Sequence, residues 1–177
     1  MNVASWSIGG VDLGRLEAIA EGLDRVLPVH QVIALRGTLG AGKTRLVQAI
    51  ARAAGIDPLG VTSPTFGIVH HHRGRRSIHH IDAYRLADED EFIELGGEEL
   101  LEDPQAIVLV EWPQRIAGCI PPHALWVDID IEIASEGGGD GHRRLTFSCQ
   151  DPRRIDAIRD ACRNLSPTED SDDQAEA

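Results

Sequence analysis

The sequence predicts an α/β fold, a mixed β-sheet flanked by helices within a single domain. Three stretches carry that prediction. "HQVIALRGTLGAGKTRLVQAI" passes from a short apolar run through a glycine turn into a helical pattern. "AIVLVEW" is a continuous apolar run, the mark of a strand buried on both faces. "ALWVDIDIEIA" alternates, placing Leu125, Val127, Ile129, Ile131 and Ile133 on one face of a half-exposed strand.

In chain order, Asp12 is placed to cap a helix that carries Leu13, Leu16, Ala20, Leu23 and Leu27 at helical spacing and ends at Pro28. The apolar strand "HQVIALRG" follows and runs straight into "GTLGAGKT". From Lys43 a second helix sets Leu46, Val47, Ile50 and Ala54 along one side, with Gly55 as its stop. "TFGIVHHHRGRRSIHHIDAYRL" reads as a hairpin turning near Arg73–Gly74. "DEDEFIELGGEELLED" is acidic and helical, interrupted at Gly96–Gly97. The alternating strand is expected to run antiparallel to "RRLTFSC" across "SEGGGDGH", and a last helix to cover Pro152 to Leu165. The domain is expected over residues 1–166, followed by an acidic disordered tail at 167–177.

Composition narrows the function. A chain of 177 residues and 19.2 kDa has room for one substantial core. Its net charge is −12, and five of the acids (Glu169, Asp170, Asp172, Asp173, Glu176) lie in the tail. The body stays acidic without them, which disfavours autonomous binding to a phosphate backbone and leaves protein partners easier to accommodate. No apolar run approaches the roughly 20 residues of a membrane span. The N-terminus has no basic segment ahead of an apolar core, so a cytoplasmic, membrane-free protein is expected. Cys119, Cys149 and Cys162 are far apart and form no Cys-x-x-Cys pair, so neither a disulfide framework nor a zinc site is indicated.

The chemistry concentrates in Gly37-Thr38-Leu39-Gly40-Ala41-Gly42-Lys43-Thr44, a complete P-loop with its strand before and its helix after. Glycines let backbone N–H groups close around phosphates, and the helix N-terminus adds partial positive charge. Lys43 is placed to reach the β- and γ-phosphates, and the Thr44 hydroxyl to ligate Mg²⁺. The chain has sixteen arginines and one lysine, and that lysine is Lys43. An ammonium is wanted there, against a strong bias toward guanidinium. Glu111, at the end of the buried "AIVLV" strand, is the expected acid for the metal; a surface glutamate at a strand end is the plain alternative. Trp112 either packs beside the site or touches nucleotide or partner. The Asn-Lys-x-Asp signature of common GTPases cannot be present, since no second lysine exists, so ATP is the expected nucleotide.

"GTLGAGKT", "SPTF", "HIDAYRL" and "EWP", in this order and spacing, resemble the TsaE family, the ATPase component of the bacterial machinery that makes threonylcarbamoyladenosine at position 37 of tRNAs. The resemblance is specific over about Leu35 to Pro113 and looser beyond; Thr38 stands where the family often has an acid. It implies slow hydrolysis of Mg·ATP, TsaB and TsaD as partners, and only indirect contact with tRNA. On the residues themselves, Asp82 is a suitable acceptor for a water poised at the γ-phosphate, if the hairpin folds over it; a turn aspartate or an ion pair with Arg85 is the alternative. Asp82 alternates with His80 and Tyr84, so the three are expected on one face, and Asp82 and Glu111 on opposite flanks of the nucleotide.

Thr65 reads either as a switch threonine ordered by metal and γ-phosphate or as a hydroxyl closing the Ser-Pro turn. Arg85 reads as a phosphate or partner contact or as a structural ion pair. Gln114, just after "EWP", is a candidate contact to the base; Arg143 and Arg144 are weaker ones. Histidines 70, 71, 72, 79 and 80 cannot all converge on one ion, because consecutive strand residues face opposite ways, and a solvated hairpin is expected. Two rival functions share the P-loop. One is a small-molecule kinase, whose basic lid would have to be "HHHRGRRS"; the other is a nucleotide-dependent adaptor with vestigial hydrolysis.

Overall fold

The structure, a computed structural model, describes residues 3–64, 68–132 and 141–163. Seven strands form one sheet in the order β1-β7-β6-β2-β5-β4-β3: β1 Ala4–Val11, β2 Gln31–Arg36, β3 Val69–Arg73, β4 Ser77–Asp82, β5 Ala106–Glu111, β6 Leu125–Ile131 and β7 Arg143–Cys149. The helices are α1 Leu13–Val26, α2 Lys43–Ala53, α3 Glu89–Glu94, α4 Gly97–Leu101 and α5 Pro152–Arg163. Strands β6, β2, β5 and β4 run parallel, while β3 and the β7–β1 pair are antiparallel additions at the two edges. The mixed sheet expected from the sequence is what forms.

Strands β2 and β5 are the spine because both of their faces are apolar. Ile33, Leu35, Ile107 and Leu109 face the core beneath α1, α2 and α5, whereas Val32, Ala34, Val108 and Val110 face the one that holds Phe92, Leu101 and Ile116. Helix α1 starts where expected: Asp12 accepts from the Arg15 N–H at 2.8 Å. Leu13, counted in its apolar stripe, is instead exposed. Helix α2 stops at Gly55 (φ +79°), whose N–H donates to the Arg52 carbonyl.

Strand β1 escaped the sequence reading. "ASWSIGGV" alternates only weakly, and it becomes a strand by pairing with β7, a partner about 140 residues away (Ser5 opposite Ser148, Trp6 opposite Phe147). The acidic segment breaks at Gly96–Gly97 as predicted. Tyr84 does not continue β4: the chain turns at Asp82 into a 3-10 turn, Ala83–Arg85. Thr65, Ile133, most of the "SEGGGDGH" loop and the acidic tail lie outside the described residues. Among those described, no helix is long and apolar enough to cross a membrane.

Candidate functional site

The C-terminal ends of β2, β5 and β4 lie side by side, and each delivers one part of the site. From β2 the chain enters the loop Gly37–Gly42. Gly37 has φ +154°, and a Cβ there would lie 2.7 Å from the Ile129 carbonyl oxygen and 2.9 Å from the Ala41 Cβ. Gly42 has φ +110° and precedes the first turn of α2, and a Cβ built on it or on Gly40 would meet open space. The loop is therefore clamped to the sheet at one end and open at its tip, where Thr38 and Leu39 are exposed. That shape leaves room for phosphate above the α2 N-terminus.

Lys43 is buried, and its Nζ donates to the carbonyls of Gly37 (2.9 Å) and Thr38 (3.0 Å). The Trp112 ring covers it, with Nζ 3.8 Å from the ring centroid. Burial holds the Lys43 pKa below its ordinary value, against the opposite pull of Glu111 and Asp82. Trp112 has φ +57°, the only positive value on a non-glycine residue among the described residues, and Tyr84 packs on its ring at 4.9 Å. This strained backbone aims an aromatic lid at the ammonium.

Glu111 ends β5 and is buried. Its Oε1 accepts from the Thr44 hydroxyl at 2.8 Å and lies 2.9 Å from His80 Nε2. The plain alternative of a surface glutamate is excluded. His80 is fully buried too, and the His79 side chain is only 12% exposed, so the solvated-hairpin expectation fails for both: β4 is an interior strand, and the face that carries His80 meets the P-loop side of the sheet. The set of a hydroxyl and a carboxylate already one hydrogen bond apart fits a Mg²⁺ ion, which takes oxygen ligands.

Asp82 and Glu111 are register partners on β4 and β5. The two carboxylates thus stand next to each other, which corrects the expectation of opposite flanks; parallel pairing of their strands puts both at one end of the sheet. The hairpin likewise lies in the sheet and does not fold over the loop. Asp82 accepts from the Ser63 hydroxyl through Oδ2 (2.6 Å) and from the Tyr84 N–H through Oδ1 (3.0 Å), so the turn-forming role is real and fixes its orientation. Ser63 is the residue of "SPTF" that the sequence reading passed over. Arg85 is exposed in the following turn. Thr65, assigned either a switch or a turn role, lies outside the described residues.

A cleft of about 550 Å³ opens beside the loop, walled by Asp12, Leu13 and Leu16 of the α1 start, Gly40–Gly42, Arg45, Ile129 and Arg143. Arg143 braces the loop: its Nε donates to the Ala41 carbonyl at 2.8 Å. Arg144 pairs instead with Glu132 at 2.5 Å. Gln114 is exposed on the turn Pro113–Ile116 and does not line this cleft. The helix-capping start of α1 gave no sign in sequence of a second duty, because only tertiary packing brings it against the glycine loop.

The basic hairpin turn is anchored at the far end of the sheet. Arg75 donates to Asp24 and to the Ala53 carbonyl, and Arg76 to the Leu27 carbonyl, at the C-terminal ends of α1 and α2. A kinase lid would have to reach the opposite end.

The family model described as "Threonylcarbamoyl adenosine biosynthesis protein TsaE" matches residues 12–144. The chain is 33% identical over 124 residues to the tRNA threonylcarbamoyladenosine biosynthesis protein TsaE of Treponema pallidum, covering 70% of this chain and 86% of that one. It is 38% identical over 140 residues to the protein of that name from Mycobacterium bovis, covering 72% and 80%. A crystal structure of Bacillus subtilis YdiB superposes with a TM-score of 0.65 at 24% identity, covering 92% of this chain and 97% of that chain, which shows a shared fold.

Proposed function

The chain belongs to the TsaE family, which takes part in threonylcarbamoyladenosine biosynthesis, and from that premise we propose that it binds and slowly hydrolyses Mg·ATP to support the tRNA modification made with TsaB and TsaD. The observation that carries this reading is the meeting of Thr44 and His80 on one oxygen of Glu111, with Lys43 and Asp82 on the adjoining chain ends. A merely structural glycine turn has no use for a buried carboxylate, a hydroxyl and an ammonium in one corner.

The division of labour follows from the chemistry of phosphoryl transfer, which is chiefly positioning and charge stabilisation. Backbone N–H groups of residues 40–44 hold the phosphates at the α2 N-terminus. Lys43 leaves its loop carbonyls for the β- and γ-phosphates, releasing the Trp112 lid. Thr44 and Glu111 would hold Mg²⁺, which would supply positive charge against the phosphate oxygens. Asp82, held by Ser63 and the Tyr84 N–H, orients the attacking water and accepts its proton as the water oxygen bonds to the γ-phosphorus and the bond to the ADP oxygen breaks. The cleft between the α1 start and Arg143 takes the base, in place of the turn carrying Gln114.

The purified protein is to be assayed with Mg·ATP, alone and with TsaB and TsaD, following inorganic phosphate and any phosphorylated acceptor. Inorganic phosphate is the expected product, lost in Lys43→Ala. Asp82→Asn should slow turnover by about 10²–10⁴-fold while the calorimetric heat of ATP binding persists. A phosphorylated small molecule as the product overturns the reading in favour of the kinase, and unchanged turnover in Asp82→Asn removes that residue's role. Normal tRNA modification through repeated cycles in extracts lacking the protein would remove the biological assignment.

A further inference from the structure

On the other face of the hairpin, away from Glu111, a second group of side chains forms a chain of hydrogen bonds. His71 and His79 sit directly opposite each other on β3 and β4, with their Nδ1 atoms 2.9 Å apart and their rings at 87°. The Nε2 of His79 lies 2.8 Å from Asp103 Oδ2, in the turn after α4. His79 and His80 point to opposite faces of β4, so this pair is separate from the nucleotide site.

Chemistry gives the arrangement a direction. A carboxylate on one ring nitrogen of a histidine fixes the proton there and leaves the other nitrogen's lone pair for a metal. Asp103 does this to His79: Nε2–H donates to the carboxylate and Nδ1 is left as acceptor. Two metal–nitrogen bonds of about 2.0–2.1 Å meeting at a right angle span about 2.9 Å, which suits the cis positions of square-planar or tetragonal Cu²⁺ and Ni²⁺. A tetrahedral ion needs about 3.3 Å and a small ring movement. No three His, Cys, Asp or Glu among the described residues form a metal cage, so water would complete the sphere.

We propose that His71 and His79, oriented by Asp103, form a surface binding site for a divalent transition cation of the Cu²⁺/Ni²⁺ class, independent of the Mg·ATP site. Binding moves the His71 proton from Nδ1 to Nε2, so no net proton is released.

The test uses full-length protein stripped with EDTA and titrated with Ni²⁺ by calorimetry without nucleotide, and with Cu²⁺ followed by electron paramagnetic resonance. One saturable equivalent is expected, with hyperfine structure from two imidazole nitrogens. Asp103→Asn should weaken it about 10–100-fold, and the double variant His71→Asn/His79→Asn should lose it, together with the nitrogen signature. ATP-binding heat and the melting temperature of the double variant report its fold. Absence of a saturable heat, or affinity and hyperfine structure unchanged in a folded double variant, overturns the proposal.

Discussion

Glu111 shows how little of a residue's role is its own. The side chain is one carboxylate among many, yet its Oε1 is shared by Thr44 and by His80, whose ring is fully buried. Two donors on one oxygen fix the carboxylate's rotation, which is what a metal ligand needs from its surroundings. His80→Asn should therefore weaken the Mg²⁺-dependent part of ATP binding about tenfold and leave binding measured in EDTA unchanged. Calorimetry with and without Mg²⁺ makes the comparison; equal losses in both would mean that His80 only packs. Lys43 illustrates the converse. With its ammonium on the Gly37 and Thr38 carbonyls and beneath Trp112, the loop satisfies its own cation.

At the scale of elements, the P-loop depends on partners distant in sequence. Gly37 passes so close to β6 that a side chain would strike the Ile129 carbonyl, and Arg143 of β7 holds the Ala41 carbonyl from the other side. Gly37→Ala combines a steric clash with a positive φ, and should lower stability by about 1–3 kcal/mol while weakening ATP binding. Thermal melting and calorimetry check both effects; a melting temperature equal to the parent's would show that the loop tolerates the added Cβ. The β4–β5 pairing is the other decisive contact, because its register alone sets Asp82 beside Glu111.

At the scale of the whole molecule, the core beneath α1, α2 and α5 buries two thiols, Cys149 and Cys162. Burial pushes the Cys162 pKa up from 9.0 to about 11, and burial raises that of Cys149 as well. Above pH 9 the unfolded chain gives up these protons while the folded chain keeps them. The stability contribution is thus complete below pH 9 and is lost as pH rises through about 11. Lys43, with its lowered pKa, acts in the opposite sense, gaining stability as pH rises toward the ordinary lysine value. Cys162→Ala should flatten the fall of melting temperature between pH 9 and 11 relative to the parent; an unchanged slope would assign that fall to other groups.

The sequence by itself determined the sheet's spine, the P-loop and the identity of its ammonium, because these depend on local periodicity, on glycine at fixed offsets and on composition. Helix α1 with its Asp12 cap, the break at Gly96–Gly97 and the β6–β7 pair were legible for the same reason. Strand β1, the Glu111–His80 bond, the cleft against Arg143 and the His71–His79 pair were not. Each joins residues that periodicity cannot relate, so only the packing of strands into one register decided which side chains meet.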